Sequence, residues 1–153
     1  MTKEEKVEVM IQVAMGFLGR PYVWGGDDPV QGFDCSGLVV ECLKSVGQLP
    51  REGDWTAEDL WQMFKGSMSS TPRRGHLVLW QSVEWKRMIH VELCLNDEIS
   101  IGASGGGSAT LTMADAIRQN AYIKLRPFRT RSREGLRRYV DPLMEEGIGN
   151  ERV

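Results

Sequence analysis

The sequence is poor in the residues that build disulfide frameworks and metal sites. It contains three cysteines, Cys35, Cys42 and Cys94, and two histidines, His76 and His90. Three cysteines do not form a complete disulfide framework, and no CxxC or HExxH pair is present. We therefore expect no metal site and no cofactor. Cys42 and Cys94 lie among apolar residues and are interpreted as core residues.

The chain also lacks a strong net charge and a long apolar run. Its formal net charge is −2, which gives no indication of nucleic-acid binding. No apolar run is long enough to span a membrane. Residues 1–6 are charged and contain no signal-peptide core. The sequence thus predicts one globular domain made for the cytoplasm, or exported by a route that the sequence does not encode.

The most informative stretch surrounds Cys35. Asp34 is a good N-cap, Gly47 suits the position just past a helix, and apolar residues follow at helical spacing: Leu38, Val39, Cys42, Leu43 and Val46. A thiol at a helix N-terminus ionises readily, and the thiolate is the nucleophilic form. The sequence therefore predicts a helix that begins with a nucleophilic Cys35. A buried strand is the alternative for the run, and a structural thiol is the alternative for Cys35.

Helical patterns fill the first half of the chain and strand patterns fill the second. Predicted capping pairs are Thr2 with Glu5, Thr56 with Asp59, and Thr112 with Asp115. Short apolar runs predict strands over residues 77–80, 88–95, 99–103 and 121–125. This order indicates an α+β domain in which helices pack on an antiparallel sheet.

His90 is the stronger candidate to assist the thiol. It shares one face of a predicted strand with Glu92, because side chains two residues apart in a strand point the same way. A base and a group that orients it suit such a pair. The alternative for His90 is an ordinary half-exposed strand histidine. His76 lies at the start of a predicted strand and is interpreted as a surface residue, and Tyr22 is either a buried tyrosine or a phenol aimed at the thiol.

Several segments together resemble the NlpC/P60 family of cell-wall peptidases. The resemblance begins with LGRPYVWGG at residues 18–26 and FDCSGLV at residues 33–39. RGHLVLW at residues 74–80 resembles the next family motif, and residues 89–91 and 101–104 resemble the two strands that follow it. These segments occur in the family order and cover about the first four-fifths of the chain.

The resemblance implies a papain-like fold, with N-terminal helices packed on a central antiparallel sheet. It implies that Cys35 is the nucleophile and His90 the general base. Tyr22 and the backbone N–H of Cys35 would stabilise the oxyanion, and Ser36 and Asp34 would lie on the substrate side. The implied substrate is the stem peptide of bacterial peptidoglycan, cleaved beside γ-linked D-glutamate or diaminopimelate.

Two positions depart from the family pattern. The family's third polar residue would fall at or near Gly102, which has no side chain to orient His90. Glu92 is the first candidate to replace it and Ser104 the second. His76 stands where the family commonly has an aspartate, which is neither the nucleophile nor the base.

The end of the chain and its biological setting complete the expectations. We expect a peptidase domain over residues 1–128 and a charged C-terminal extension over residues 129–153. The extension would dock on tail-tip or hub proteins, or else be a solvated end. Members of the family without an export signal resemble those of tailed phages and gene-transfer particles. This resemblance implies that the protein acts from such a particle and resides in the virion, or in the bacterial cytoplasm before assembly. Alternatives are an inactive tail-tip structural module, or an amidase or transacylase acting on another acyl substrate.

Overall fold

The computed structural model describes residues 1–28, 32–131 and 135–143. Its helices are α1 (Lys3–Met15), α2 (Cys35–Ser45), α3 (Ala57–Phe64) and α4 (Met113–Gln119), and a 3-10 turn spans Lys65–Ser67. Its strands are β1 (Asp27–Asp28), β2 (Gly32–Phe33), β3 (Met68–Ser69), β4 (Leu77–Gln81), β5 (Met88–Cys94), β6 (Ile99–Ser104), β7 (Tyr122–Pro127) and β8 (Leu136–Val140).

Local capping explains where three of these helices begin. The hydroxyl of Thr2 accepts from the backbone N–H of Glu5 at 3.1 Å, and the Glu5 carboxylate accepts from the N–H of Thr2 at 2.7 Å. Such reciprocal bonds satisfy N–H groups that have no partner inside the helix. The two other predicted capping boxes are confirmed in the same form, at Thr56 with Asp59 and at Thr112 with Asp115.

The main sheet has six strands in the order β3-β8-β4-β5-β6-β7, and every neighbouring pair is antiparallel. Strands β1 and β2 form a separate antiparallel pair immediately before α2. The predicted α+β fold, with helices packed on an antiparallel sheet, is therefore confirmed.

The two faces of the main sheet carry different side chains. Alternate residues such as Leu77, Val91 and Ile101 join Leu38 and Leu43 of α2 in the main hydrophobic core. The other face carries a small second cluster of Val78, Trp80 and Cys94, together with Phe128, which directly follows β7. Burial of a large apolar side chain contributes roughly 1.5–3 kcal/mol to stability. The larger cluster therefore fixes α2 on the sheet.

The sheet continues past the predicted boundary at residue 128. Strand β8 lies inside the sheet, where Val140 is paired with Leu77 and Tyr139 with Val78. The predicted division after residue 128 is therefore corrected, because residues 136–140 belong to the sheet. The arginines at 137 and 138 made this strand hard to recognise in the sequence, since a strand that contacts only part of a core tolerates charged positions. Residues 132–134 and 144–153 of the expected extension lie outside the described residues, and so does any docking on them.

Across the described part of the chain, no helix combines the length and the apolar character needed to cross a bilayer.

Candidate active site

Cys35 is the first residue of α2, and its thiol is half-buried and not in a disulfide. Asp34 caps the helix: Oδ1 accepts from the N–H of Gly37 at 2.8 Å, and Oδ2 accepts from the N–H of Gly25 at 3.0 Å. One carboxylate thus ties the glycine-rich loop to the helix start. The helix prediction for this run is confirmed and the strand alternative is wrong.

Two glycines allow the loop to approach the helix closely. A Cβ atom on Gly37 would lie 2.1 Å from the carbonyl oxygen of Gly26, which is closer than any real contact. The same carbonyl accepts from the N–H of Asp34 at 3.1 Å. A side chain at position 37 would push the loop away, so the glycine of the Cys-Ser-Gly sequence is a packing requirement of the site.

His90 lies on β5 and is held on one side by Glu92. The distance from its Nε2 to Oε2 of Glu92 is 2.6 Å, and its ring packs against Trp80 with centroids 5.2 Å apart. Burial lowers the pKa of His90, but the charge of Cys35 and a hydrogen bond with it, followed by those of Glu92, outweigh burial and raise the pKa to about 10. His90 therefore carries a proton at neutral pH.

Glu92 is buried, with 1% of its surface exposed. Its oxygens accept from Ser100 Oγ at 2.7 Å and from two guanidinium nitrogens of Arg131 at 2.8 and 3.0 Å. Burial alone would raise the pKa of Glu92, but His90 and Arg131 outweigh it and lower the pKa to about 2. A carboxylate that stays ionised can orient the imidazole and stabilise its protonated form.

Gly102 provides the space that Glu92 fills. A Cβ atom on Gly102 would lie 2.3 Å from Cγ and 2.6 Å from Cδ of Glu92. The family's third polar side chain, which is absent at Gly102, is thus replaced by the carboxylate of Glu92 from the neighbouring strand. Ser104, the second candidate, accepts a hydrogen bond from Arg126 at 3.0 Å. Of the two candidates, Glu92 is the one that the structure brings to His90.

Tyr22 is buried beside the helix start, and its N–H donates to the carbonyl of Ala121 at 3.0 Å. Gly106 leaves room for the ring, since a Cβ atom there would lie 2.5 Å from Tyr22 Cδ1. Burial raises the pKa of Tyr22 well above its usual value, and the nearby Cys35 and Asp34 raise it further. The phenol therefore keeps its proton and remains a hydrogen-bond donor.

Ser36 and Asp34 both contribute to the helix start. Ser36 is buried, and its hydroxyl donates to Asp34 Oδ1 at 3.4 Å. Burial raises the pKa of Asp34, and the hydrogen bonds from Gly37 and Gly25 oppose that rise. The contacts of both side chains are those of groups that shape the loop around Cys35.

His76 lies in a different part of the molecule. Its Nε2 is 3.9 Å from Oδ2 of Asp141, and it lines a cavity of about 440 Å³ together with Lys3 and Arg73. Burial lowers the pKa of His76, although Asp141 opposes this. His76 is therefore neutral near pH 7. The structure brings His90, and not His76, to Cys35.

Arg131 is the member of the site that the sequence did not predict. It lies in the segment expected to be an extension, and 39 residues separate it from Glu92. Arg131 is one of several arginines in this segment, and no periodicity or motif in the sequence distinguishes it from its neighbours. Among the described residues, no group of three or more histidine, cysteine or acidic side chains is arranged to hold a metal ion.

Comparison with known proteins gives relatives of one kind. The chain is 34% identical over 94 residues to the probable endopeptidase YafL of Escherichia coli, and the aligned region covers 59% of this chain and 36% of YafL. It is 31% identical over 102 residues to the bifunctional muramidase/DL-endopeptidase CwlT of Bacillus subtilis, which covers 65% of this chain and 30% of CwlT. The chain thus spans about a third of the length of these curated relatives.

The similarity to solved structures extends over a larger part of this chain than the similarity to the curated relatives. The NlpC/P60 domain of the peptidoglycan hydrolase SagA superposes with a TM-score of 0.62 at 25% identity, covering 88% of this chain and 97% of that domain. The P60 domain of the Mycobacterium avium subspecies paratuberculosis antigen MAP1204 shares the fold, with a TM-score of 0.65 over 94% of this chain and 98% of that domain at 24% identity. The NlpC/P60 family profile matches residues 19–127. With the motif around Cys35 and the helix-on-sheet fold in place, this match means that the chain belongs to the NlpC/P60 family.

Proposed function

We propose that the protein is a cysteine peptidase that hydrolyses the stem peptides of bacterial peptidoglycan. The observation that carries the proposal is the juxtaposition of Cys35, at the start of α2, with a protonated His90 that Glu92 holds at 2.6 Å. The names of the relatives, among them an endopeptidase and a peptidoglycan hydrolase, support the substrate class.

The reaction proceeds by acyl transfer to the thiol. The sulfur of Cys35 attacks the carbonyl carbon of the scissile amide, and His90 gives its proton to the leaving amine as the C–N bond breaks. Because Glu92 occupies Nε2 of His90, Nδ1 is the nitrogen that handles this proton. A water molecule then attacks the thioester, His90 accepts one of its protons, and the acid leaves as the Cys35 thiol group is restored.

Two groups are suited to stabilise the oxyanion. The N–H of Cys35 lies in the first turn of α2, where backbone N–H groups have no partner within the helix. The Tyr22 phenol is buried next to the thiol and keeps its proton. Donors fixed before the reaction lower its barrier, because they need no reorganisation as charge develops.

The bond we propose joins γ-linked D-glutamate to diaminopimelate, as the family resemblance implies. The test is incubation of the purified protein with diaminopimelate-type muropeptides, followed by mass spectrometry of the products. We expect two fragments whose masses add up to the substrate plus one water. Cys35→Ala is the control and should leave the substrate intact.

Each other outcome of this test has a definite meaning. Cleavage that persists in Cys35→Ala contradicts the thioester mechanism. Transfer of the acyl group to an added amine, without hydrolysis, favours a transacylase, and release of ammonia favours an amidase. A folded protein that cleaves no stem peptide favours the structural-module alternative.

Delivery of the enzyme by a phage tail or gene-transfer particle is a separate part of the proposal and rests on the family resemblance alone. Its test is mass spectrometry of purified particles from a host that carries the gene. Recovery of the protein with tail-tip or hub proteins supports a virion location, and its consistent absence from particles contradicts it.

A further inference from the structure

We propose that Arg131 is a positioning residue of the active site, which acts through Glu92 to hold the imidazole of His90 in its reactive orientation. This inference rests on the function proposed above. It assigns to the peptidase machinery a residue that lies beyond the stretch of 19–127 matched by the family profile.

The carboxylate of Glu92 is buried at a cost in free energy that its partners must offset. Its exposed fraction is 1%, and an ionised carboxylate in such surroundings is strongly destabilising unless it is paired and hydrogen-bonded. A carboxylate can accept about four hydrogen bonds. Glu92 makes four such contacts, one each with His90 and Ser100 and two with Arg131.

One oxygen of Glu92 is shared between His90 and Arg131. Oε2 lies 2.6 Å from Nε2 of His90, and the same atom accepts from Arg131 at 3.0 Å. The second guanidinium nitrogen donates to Oε1 at 2.8 Å. A bidentate pair fixes the plane of the carboxylate as well as its position. Arg131 therefore sets the direction from which Oε2 meets the imidazole.

Arg131 is itself held in place by several contacts. Its Nε donates to the carbonyl of Pro127 at 3.0 Å, and a terminal nitrogen donates to Ser100 Oγ at 3.2 Å. Its guanidinium carbon lies 4.6 Å from the ring centre of Trp80, the tryptophan that also packs on His90. A planar guanidinium stacked on an aromatic face keeps its orientation, which a lysine ammonium does not.

Gly102 leaves the space in which the Glu92 side chain lies. A side chain at that position would displace Glu92, because its Cβ would lie 2.3 Å from Cγ of Glu92. With no side chain there, the carboxylate can come from the strand that carries the base itself. Arg131 supplies the opposing charge for this carboxylate.

The test compares Arg131→Met and Arg131→Lys with Arg129→Met. Arg129 is the matched control, since it lies in the same segment and bonds the carbonyl of Asp97, away from Glu92. We expect Arg131→Met to lower kcat on muropeptides about 10–100-fold with KM nearly unchanged. This is the range found when the hydrogen-bonded partner that orients a metal-ligating residue is removed. Arg131→Lys should recover part of the loss. Arg129→Met should match the wild type.

The pH profile separates positioning from a loss of folded protein. Without Arg131 the Glu92 carboxylate gains a proton more readily, so the acid limb of kcat should move to higher pH. Within residues 1–28, 32–131 and 135–143, the other titratable groups whose charge interacts with Glu92 are His90 and Cys94 on β5 and Lys124 on β7, and all three remain in the variant. A merely less stable protein would keep the position of this limb.

A double-mutant cycle keeps the proposal testable if Arg131→Met folds poorly. Glu92→Gln/Arg131→Met removes both buried charges at once, which proteins often tolerate. Because Arg131 acts through Glu92, the double variant should lose no more activity than Glu92→Gln alone. Multiplicative losses, or wild-type kcat and pH profile in Arg131→Met, would overturn the proposal.

Alkylation of Cys35 by iodoacetamide distinguishes this failure from failure of the proposed function. It reports on the thiol and His90 without any peptide substrate. We expect Arg131→Met to slow alkylation several-fold near neutral pH and Arg129→Met to leave it unchanged. If muropeptides are not cleaved but this difference holds, the proposed substrate is wrong and the role of Arg131 stands. Equal alkylation rates in the two variants contradict that role.

Discussion

The molecule contains two clusters of the same composition, each a histidine, a carboxylate and a cation. The first cluster is His90, Glu92 and Arg131, in which the histidine nitrogen lies 2.6 Å from the carboxylate. The second cluster is His76, Asp141 and Lys3, in which that distance is 3.9 Å. The pKa of the histidine moves in opposite directions, up to about 10 for His90 and down for His76.

The difference comes from what surrounds each histidine. His90 has a hydrogen-bonded carboxylate on one side and the thiol group of Cys35 on the other, and their interactions exceed the effect of burial. For His76 burial dominates, because Asp141 is too distant for a hydrogen bond and Lys3 contributes a like charge. A carboxylate therefore favours the protonated form of a buried histidine strongly only when the two groups are in direct contact.

The largest expected difference between the clusters is in catalysis. His90→Ala should lower kcat/KM by about 10³-fold, in the range that general acid–base groups contribute. His76→Ala should leave kcat/KM close to the wild-type value, because His76 lies away from Cys35. Steady-state cleavage of muropeptides measures both values. Equal losses in two variants that unfold at similar temperatures would erase the distinction between the clusters.

Stability should separate the two carboxylates. Glu92→Gln removes the buried charge that pairs with both Arg131 and His90 and should cost about 3–5 kcal/mol of unfolding free energy. Asp141→Asn should cost about 1 kcal/mol, because Lys3 is 45% exposed and the amide oxygen can still accept from the N–H of Leu143. Urea unfolding of the two variants gives the comparison. A smaller loss for Glu92→Gln than for Asp141→Asn contradicts it.

The compactness of the first cluster can be tested at Gly102. Gly102→Ala should displace Glu92 and cost about 1–3 kcal/mol, the usual range for an overpacked core, with a loss of activity. Gly107→Ala is the control, since a Cβ atom there meets no neighbour within 4 Å. Thermal unfolding and the cleavage assay measure the pair. If Gly102→Ala has the unfolding temperature and activity of the wild type, the empty space beside Glu92 is not needed for stability or catalysis.

The pH dependence of stability should have opposite signs for the two histidines. The pKa of folded His90 is raised from 6.5 to about 10, so its contribution is complete below pH 6.5 and is lost as pH rises through about 10. The pKa of folded His76 is lowered, so its contribution is present above pH 6.5 and is lost as pH falls below it. The measurement is the difference in unfolding free energy between the wild type and each variant, His90→Gln or His76→Gln, as a function of pH. This difference should fall with rising pH above pH 6.5 for His90→Gln, and it should rise with pH below pH 6.5 for His76→Gln. Parallel slopes contradict the assignment.

Local signals in the sequence were sufficient for much of the fold and for part of the site. Capping pairs such as Thr2 with Glu5 act within four residues, so they can be read directly from the chain. The helix that begins at Cys35 and the shared strand face of His90 and Glu92 follow from periodicity. These features depend on neighbours in sequence.

The features that the sequence could not give depend on contacts between distant segments. Strand β8 is recognisable only through its pairing with β4, where Arg137 lies opposite Trp80 and Arg138 opposite Leu79. Arg131 reaches Glu92 across 39 residues. Gly102 looked like a missing group, and only the distance to Glu92 shows that it leaves room for one.

The position of β8 inside the sheet has a consequence for biosynthesis. The ribosome makes Cys35 and His90 early, but Arg131 and the strand that covers the open edge of β4 are made late. A growing chain therefore carries its nucleophile before the group that steadies its base, and full reactivity must await nearly the whole domain. Ribosome-stalled chains of increasing length, probed with iodoacetamide, should gain native Cys35 reactivity only when β8 has left the exit tunnel.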